Sequence, residues 1–261
     1  MELVTIKENN THYHRVDANW VLHLADSSLI MGHRLSEWTG HGPVLEQDIA
    51  LTNISLDLIG QARNFYQYAA KLLSEDEARP VTEDQLAFLR DAAEYKNHLI
   101  TELPNGHWGF TVLKVFLFSS WQSVYYTSLL SNSDNSIAAI AEKSLKEVQY
   151  HTRWSGDWVI RLGDGTHDSH SRMESALEEL WPYTGEFFEP AGFEPAAMDM
   201  VIQKNDWLQN VNAVLDEATL KLPPADVWMH SGGKTGRHTE HLGYLLAEMQ
   251  FLQRAYPGCE W

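Results

Sequence analysis

The sequence predicts an all-α helical bundle, and three observations carry that expectation. Apolar residues recur at three- and four-residue steps along nearly the whole chain. No segment alternates convincingly with period two, and clusters of Gly and Pro cut the pattern into a few long pieces. With 44% hydrophobic residues and ten Trp, ten Tyr and nine Phe in 261 residues, there is material for a substantial core. The chain is therefore expected to form a single domain over 1–261, with residues 1–16 as a polar N-terminal extension.

The first helix is expected from about Asp17 to Trp38, on the stripe Trp20, Leu24, Met31, Leu35 and Trp38. Gly40-His41-Gly42-Pro43 closes it and opens the next, since Gly suits a C-cap and Pro a first turn. The second helix, about Val44 to Leu73, is apolar on two sides. Leu45, Ile49, Leu56, Ile59 and Tyr66 mark one face, while Leu51, Ile54, Leu58, Ala62, Phe65, Ala69 and Leu72 mark the other. Such a helix is expected inside the bundle. Ser74 to Pro80 reads as a solvated turn, followed by a shorter helix from about Glu83 to Leu103 and a break at Pro104-Asn105-Gly106.

A third long helix is expected over about Gly106 to Ser131, then a turn with Asp134 as N-cap, then a fourth from about Ile137 to Leu162. Gly163-Asp164-Gly165 stops that helix, and three more follow near 171–188, 197–219 and 237–255. Four long helices in two hairpins suggest a ferritin-like four-helix bundle with additional C-terminal helices.

Composition narrows the function classes. Nineteen Lys and Arg against 36 Asp and Glu give a net charge of −17, which disfavours binding to a phosphate backbone. Cys259, the single cysteine, forms no intrachain disulfide and no multi-cysteine zinc site. The N-terminus lacks an apolar signal segment, so a cytoplasmic location is expected. Residues 108–130 carry no acid, yet Lys114, Gln122 and several Ser and Thr interrupt them; a buried bundle helix is expected there and not a membrane span.

Ferritin-like bundles often hold two irons, which requires a Glu from each of two helices and Glu-x-x-His from each of the other two. Counting outward from a turn near 41 places Asp26 opposite Asp57, and from a turn near 133 places Glu147 opposite Ser119 or Ser120. The pattern then fails. No Asp or Glu occurs between Glu102 and Asp134, so the third helix supplies no bridging carboxylate. Gly60 stands three residues after Asp57, and Tyr150 three after Glu147; His151 is one place further, about 100° around the helix. No metal is expected in this chain. Asn53, Asp57, Gln61 and Asn64 still form a polar strip on an apolar helix. Asp26, Asp57, Glu147 and His151 read either as a vestigial metal site or as a structural network paired with Arg, Lys, His or Tyr, and the second reading is favoured.

The segment Ser231-Gly-Gly-Lys-Thr-Gly-Arg-His-Thr-Glu-His241 lacks the first Gly and the preceding strand of a nucleotide-hydrolysing loop. His238-x-Glu240-His241 is one residue short of either zinc-protease spacing. Gly-rich backbone with Lys234 and Arg237 before a helix could nevertheless contact an anionic ligand.

Several segments together resemble the PaaC family, a non-catalytic component of bacterial phenylacetyl-CoA epoxidase. They are Leu35-Ser-Glu-Trp-Thr-Gly-His-Gly-Pro43, Asp48 through Asn64 with its core Asn53-Ile-Ser-Leu-Asp-Leu-Ile-Gly-Gln-Ala-Arg-Asn64, Glu102-Leu-Pro-Asn-Gly106 and Lys146-Glu-Val-Gln-Tyr-His151. Gly232-Gly-Lys-Thr-Gly-Arg-His-Thr-Glu-His-Leu-Gly243 and Leu246-Ala-Glu-Met-Gln250 extend the resemblance toward the C-terminus. It implies a structural subunit without a cofactor of its own, paired with a related subunit that holds a diiron centre. That complex uses NADPH, through a reductase, and O2 to oxidise the ring of phenylacetyl-CoA in aerobic phenylacetate degradation. Lys234 and Arg237 are then candidate contacts to the phosphates of coenzyme A. Two other readings stay open: a diiron oxidase or iron-binding protein with an unusual ligand set, and a stand-alone helical binding protein.

Overall fold

The structure is a computed structural model, and it describes residues 16–74, 80–196 and 198–259. Most of the N-terminal extension and of the 74–80 turn lies outside these residues. All regular elements among the described residues are helical, and none of these helices is long and apolar enough to cross a membrane.

Helices α1 (Ala18–Ser36) and α2 (Leu45–Ser74) form one antiparallel hairpin, and α4 (Trp108–Leu129) and α5 (Asn135–Gly163) form the other. The hairpins meet along α2 and α5. Local chemistry sets the helix starts: Asp17 accepts from the Asn19 amide, and Asp134 caps α5 by accepting from Ser136 and Ile137, as its sequence position suggests. Helix α4 is buried on every face from Gly109 to Gln122, including Phe110, Val112, Leu113, Phe116, Leu117, Phe118 and Trp121. This follows from α6 (His167–Leu180) and α7 (Met200–Glu217) packing against the side that α5 leaves open. Helices α8 (Glu240–Met249) and α9 (Phe251–Ala255) follow, separated by Gln250, where a single helix is expected from the sequence.

Two expectations need correction. The expected helix over 83–103 is only α3 (Glu83–Phe88) followed by 3-10 turns at Ala92–Glu94 and Leu99–Glu102. The backbone N–H groups of Lys96 and His98 donate to Asp26 Oδ2 at 2.8 Å and Ser27 Oγ at 3.2 Å, so side chains of α1 replace the i−4 carbonyls a helix would use. Helix α2, in turn, is not enclosed. Its face with Leu51, Ile54, Leu58, Ala62 and Phe65 is buried, but Leu45, Ile49, Leu56 and Ile59 lie on the surface, with Leu56 61% exposed. Helices α1 and α5 cover only the first face.

Lys114 is the unusual group inside α4. It is fully buried, donating to Leu103 O at 2.7 Å and Asn105 Oδ1 at 3.2 Å. Burial, and then the nearby charge of Arg34, lower its pKa to about 7. A lysine whose folded pKa lies below its unfolded value is penalised when charged. That penalty is complete below pH 7 and fades as pH rises from about 7 toward 10.5. The stability difference between wild type and Lys114→Met should therefore shift in favour of wild type across that window, by on the order of 4 kcal/mol. Urea titrations of both proteins at about pH 6.5, 8 and 9.5 check this; a pH-independent difference would contradict it.

Candidate functional site

The acids singled out in the sequence do not gather into one site. Asp26 is fully buried and saturated with internal donors. It forms an ion pair with Arg90, accepts from Tyr66 Oη at 2.5 Å, and accepts from the Lys96 amide at 2.8 Å. Burial alone would lower the Arg90 pKa, but the Asp26 charge outweighs it and holds the guanidinium above its ordinary value. Asp26 thus stands level with Tyr66, not with Asp57 as counting from residue 41 predicts. The bonds Gly42 N to Asp48 Oδ2 (2.9 Å), Thr39 to Thr52 (3.2 Å) and Ser55 Oγ to Gly32 O (2.6 Å) show why. Residues 37–42 run back alongside the start of α2, so the chain reverses near residue 45.

Asp57, Glu147 and His151 do share the α2–α5 seam. His151 Nε2 lies 3.0 Å from Asp57 Oδ2, with the imidazole buried and the carboxylate partly exposed. One turn along α2, Gln61 Nε2 donates to Glu147 Oε2 at 3.0 Å. The Glu147 pKa is raised by burial, with Gln61 pulling it down and Asp57 adding to the rise. Helix α4 answers with Gln122, whose Nε2 makes long contacts to Gln61 Oε1 (3.4 Å) and Ser28 Oγ (3.5 Å) and a bond to Tyr126 Oη (3.2 Å). Glu147 is therefore level with Gln122 and Tyr126, not with Ser119 or Ser120.

This donor set does not fit a diiron centre. Two irons need several carboxylates to balance their charge and hard oxygen ligands to hold them. The seam offers two carboxylates, each with an internal partner, one imidazole, and a neutral amide from α4. No group of three or more His, Cys, Asp or Glu among the described residues is arranged to hold a metal ion.

The Gly-rich loop is an anion-binding loop whose anions are the protein's own carboxylates. Gly232 and Gly233 donate their amides to Glu186 Oε1 at 2.9 and 2.7 Å, and Leu99 donates to Glu186 Oε2 at 2.8 Å. Glu102, fully buried, receives Thr239 N (2.7 Å), Thr239 Oγ1 (2.6 Å) and Asn97 Nδ2 (2.8 Å), and faces His238 Nδ1 at 2.6 Å. The glycines serve close packing. A Cβ on Gly233 would strike the carbonyl of Asn97, and Gly236, with φ +80°, sits against the carbonyl of Ala93. Lys234, expected as a candidate phosphate contact, is buried and paired with Glu194 at 3.1 Å while donating to Glu189 O at 2.9 Å. Contact with an external phosphate would have to break that pair. Arg237 remains exposed.

Sequence reasoning missed Arg90, Gln122, Glu186 and Glu194. Gln122 alone left a signal, as an amide inside an acid-free apolar helix; the other three look like surface charges.

Comparison with known proteins points the same way as the motifs. A family described as phenylacetic acid catabolic protein matches residues 1–261. The C subunit of 1,2-phenylacetyl-CoA epoxidase from Escherichia coli (strain K12) is 43% identical over 248 residues, spanning 93% of this chain and 98% of that protein. With the whole length matched and identity at this level, the chain belongs to the phenylacetic acid catabolic protein family.

Proposed function

We propose that this chain is the non-catalytic structural subunit of a cytoplasmic phenylacetyl-CoA epoxidase, folded as one domain and docked on a related helical bundle that holds the diiron centre. The observation that carries this reading is the chemistry of the seam. Asp57 and Glu147 are spent on His151 and Gln61, and α4 presents Gln122 where a bridging carboxylate would be needed. The oxidation, using O2 and electrons from NADPH through a reductase, belongs to the partner subunits. Any contact from this chain's Gly-rich loop to the phosphates of coenzyme A falls to Arg237, since Lys234 is committed to Glu194.

The outer face of α2 is the docking surface we assign to the partner bundle. Leu45, Ile49 and Leu56 are 71%, 51% and 61% exposed on one helix, which is an unusual concentration of apolar surface. A Cβ on Gly60, on the same helix, would meet nothing within 4 Å, which leaves room for a partner helix to approach closely. The expected interface buries roughly 2,000 Å² or more in total.

Co-expression with the catalytic subunit tests both statements. The complex should hold its iron on the partner, and the isolated chain well under one equivalent; stoichiometric iron on the isolated chain would favour the iron-binding alternative. Leu56→Glu combined with Ile49→Glu should weaken co-purification by about tenfold or more, because charges would replace central apolar contacts. Phe251→Glu, on the exposed α9, serves as control. Unchanged assembly of the α2 variant would remove this face from the interface, and failure of the wild-type chain to bind any epoxidase subunit would sink the functional reading itself.

A further inference from the structure

The core holds a cluster of polar rings that neither the seam nor the docking face uses. His23 of α1, His98 at the end of the extended 95–98 stretch, and Trp121 of α4 are essentially inaccessible, at 0%, 0% and 1% exposure. Their rings form a contact triangle, with centroids 4.5 Å apart for His23 and His98, 4.4 Å for His98 and Trp121, and 6.3 Å for His23 and Trp121. Phe118, Phe187 and Phe193 pack against these rings. Each corner carries one buried nitrogen with no hydrogen-bond partner among the described residues: His23 Nε2, His98 Nε2 and Trp121 Nε1. Buried polar groups in native proteins are paired in the great majority of cases. Three unpaired nitrogens on three touching rings therefore point to a shared ligand.

The bonds around the triangle assign its protons. His23 Nδ1 lies 2.6 Å from the carbonyl of Lys96, which can only accept, so Nδ1 carries the proton and Nε2 presents a lone pair. Ser27 Oγ accepts the backbone N–H of His98 at 3.2 Å and sits 3.3 Å from His98 Nδ1. Among the described residues His98 Nδ1 is the one acceptor within reach of the serine hydroxyl, so the serine proton is directed to Nδ1 and the imidazole proton of His98 resides on Nε2. The indole N–H of Trp121 only donates. The triangle thus offers two donors and one acceptor.

We propose that His23, His98 and Trp121 form an internal binding site for one small neutral hydroxylic molecule, a water, which accepts from His98 and Trp121 and donates to His23. Three hydrogen bonds is the usual complement of a buried structural water. The charge pattern selects against the other occupants. A metal cation would meet two protonated nitrogens, and no group of three or more His, Cys, Asp or Glu among the described residues is arranged to hold one. Burial, and for both rings the Lys234 charge, keep the imidazoles neutral, with His23 pulled down to about 3. An anion would face the lone pair of His23. A water here joins α1, α4 and the 95–102 segment beneath the loop that bears Phe187 and Phe193, and it fixes both histidine tautomers.

A crystal structure of the full chain at a resolution that defines ordered waters, together with 15N spectra of histidine-labelled protein, tests this. The expected result is one water within bonding distance of all three nitrogens, His23 protonated on Nδ1 and His98 on Nε2. Trp121→Phe keeps the ring packing but removes one donor, and loss of that water is expected. A metal ion, a triangle without ordered solvent, or His98 protonated on Nδ1 in the wild-type protein overturns the proposal. So does a Trp121→Phe protein that retains the water unchanged.

Discussion

Replacing Arg90 with methionine should cost the folded protein about 3–5 kcal/mol, the penalty for leaving a buried carboxylate without its countercharge. Asp26 has no access to solvent, and the Arg90 guanidinium is its only cationic partner among the described residues. Tyr66 Oη and the Lys96 amide would remain as neutral donors and cannot balance the charge. The guanidinium also lies 4.3 Å from the Tyr95 ring centroid, so part of the loss is stacking. Asp26→Asn in the same protein removes the stranded charge. The double variant Asp26→Asn/Arg90→Met should therefore be more stable than Arg90→Met alone, giving a coupling energy of about 1–3 kcal/mol in a double-mutant cycle. Equilibrium urea unfolding measures all three. A single Arg90→Met that falls within about 1 kcal/mol of wild type would mean that Asp26 relaxes to solvent or binds a proton at little cost.

This ion pair also shows which parts of the molecule can be read from the chain. The two hairpins are legible because their ends are written in local chemistry: Asp134 as a cap, Gly163-Asp164-Gly165 as a stop, Gly42-Pro43 beside the first reversal. Register across a hairpin is not local. Residues 37–42 fold alongside α2, and that offset moves Asp26 away from Asp57 and toward Tyr66. The same limit applies to charges. Arg90 lies in a segment read as one continuous helix and Glu194 in a loop, and nothing in spacing couples Arg90 to Asp26 or Glu194 to the distant Lys234. The absence of an acid from α4 was legible, because a missing residue type requires no register. What replaced it, Gln122 reaching toward Gln61, required the fold.

The loop over 232–239 should loosen when Glu186 becomes alanine, with a loss of about 3–5 kcal/mol. Three backbone N–H groups, of Leu99, Gly232 and Gly233, converge on this one carboxylate, and a buried donor left unpaired costs about 1–3 kcal/mol. Water entering the loop offsets part of that sum. Glu186→Gln keeps one acceptor oxygen but turns an NH2 group toward a backbone donor, so it should cost about 1–3 kcal/mol and fall between alanine and wild type. The pH dependence has a definite sign. Burial raises the Glu186 pKa despite the opposing amide bonds and Lys234, so the folded state holds its proton more tightly than the unfolded chain. Stability from this group is present at low pH and declines as pH rises through the folded pKa, whereas glutamine does not titrate. The deficit of Glu186→Gln relative to wild type should accordingly widen on acidification from about pH 7 toward 4.5. Hydrogen exchange at the amides of Gly232, Gly233 and Thr239 locates the effect. Thr239 is bound to Glu102 and should respond less, because its own carboxylate is untouched. Uniform acceleration across the whole chain, in place of a response centred on 232–233, would show that Glu186 supports global stability and not this loop.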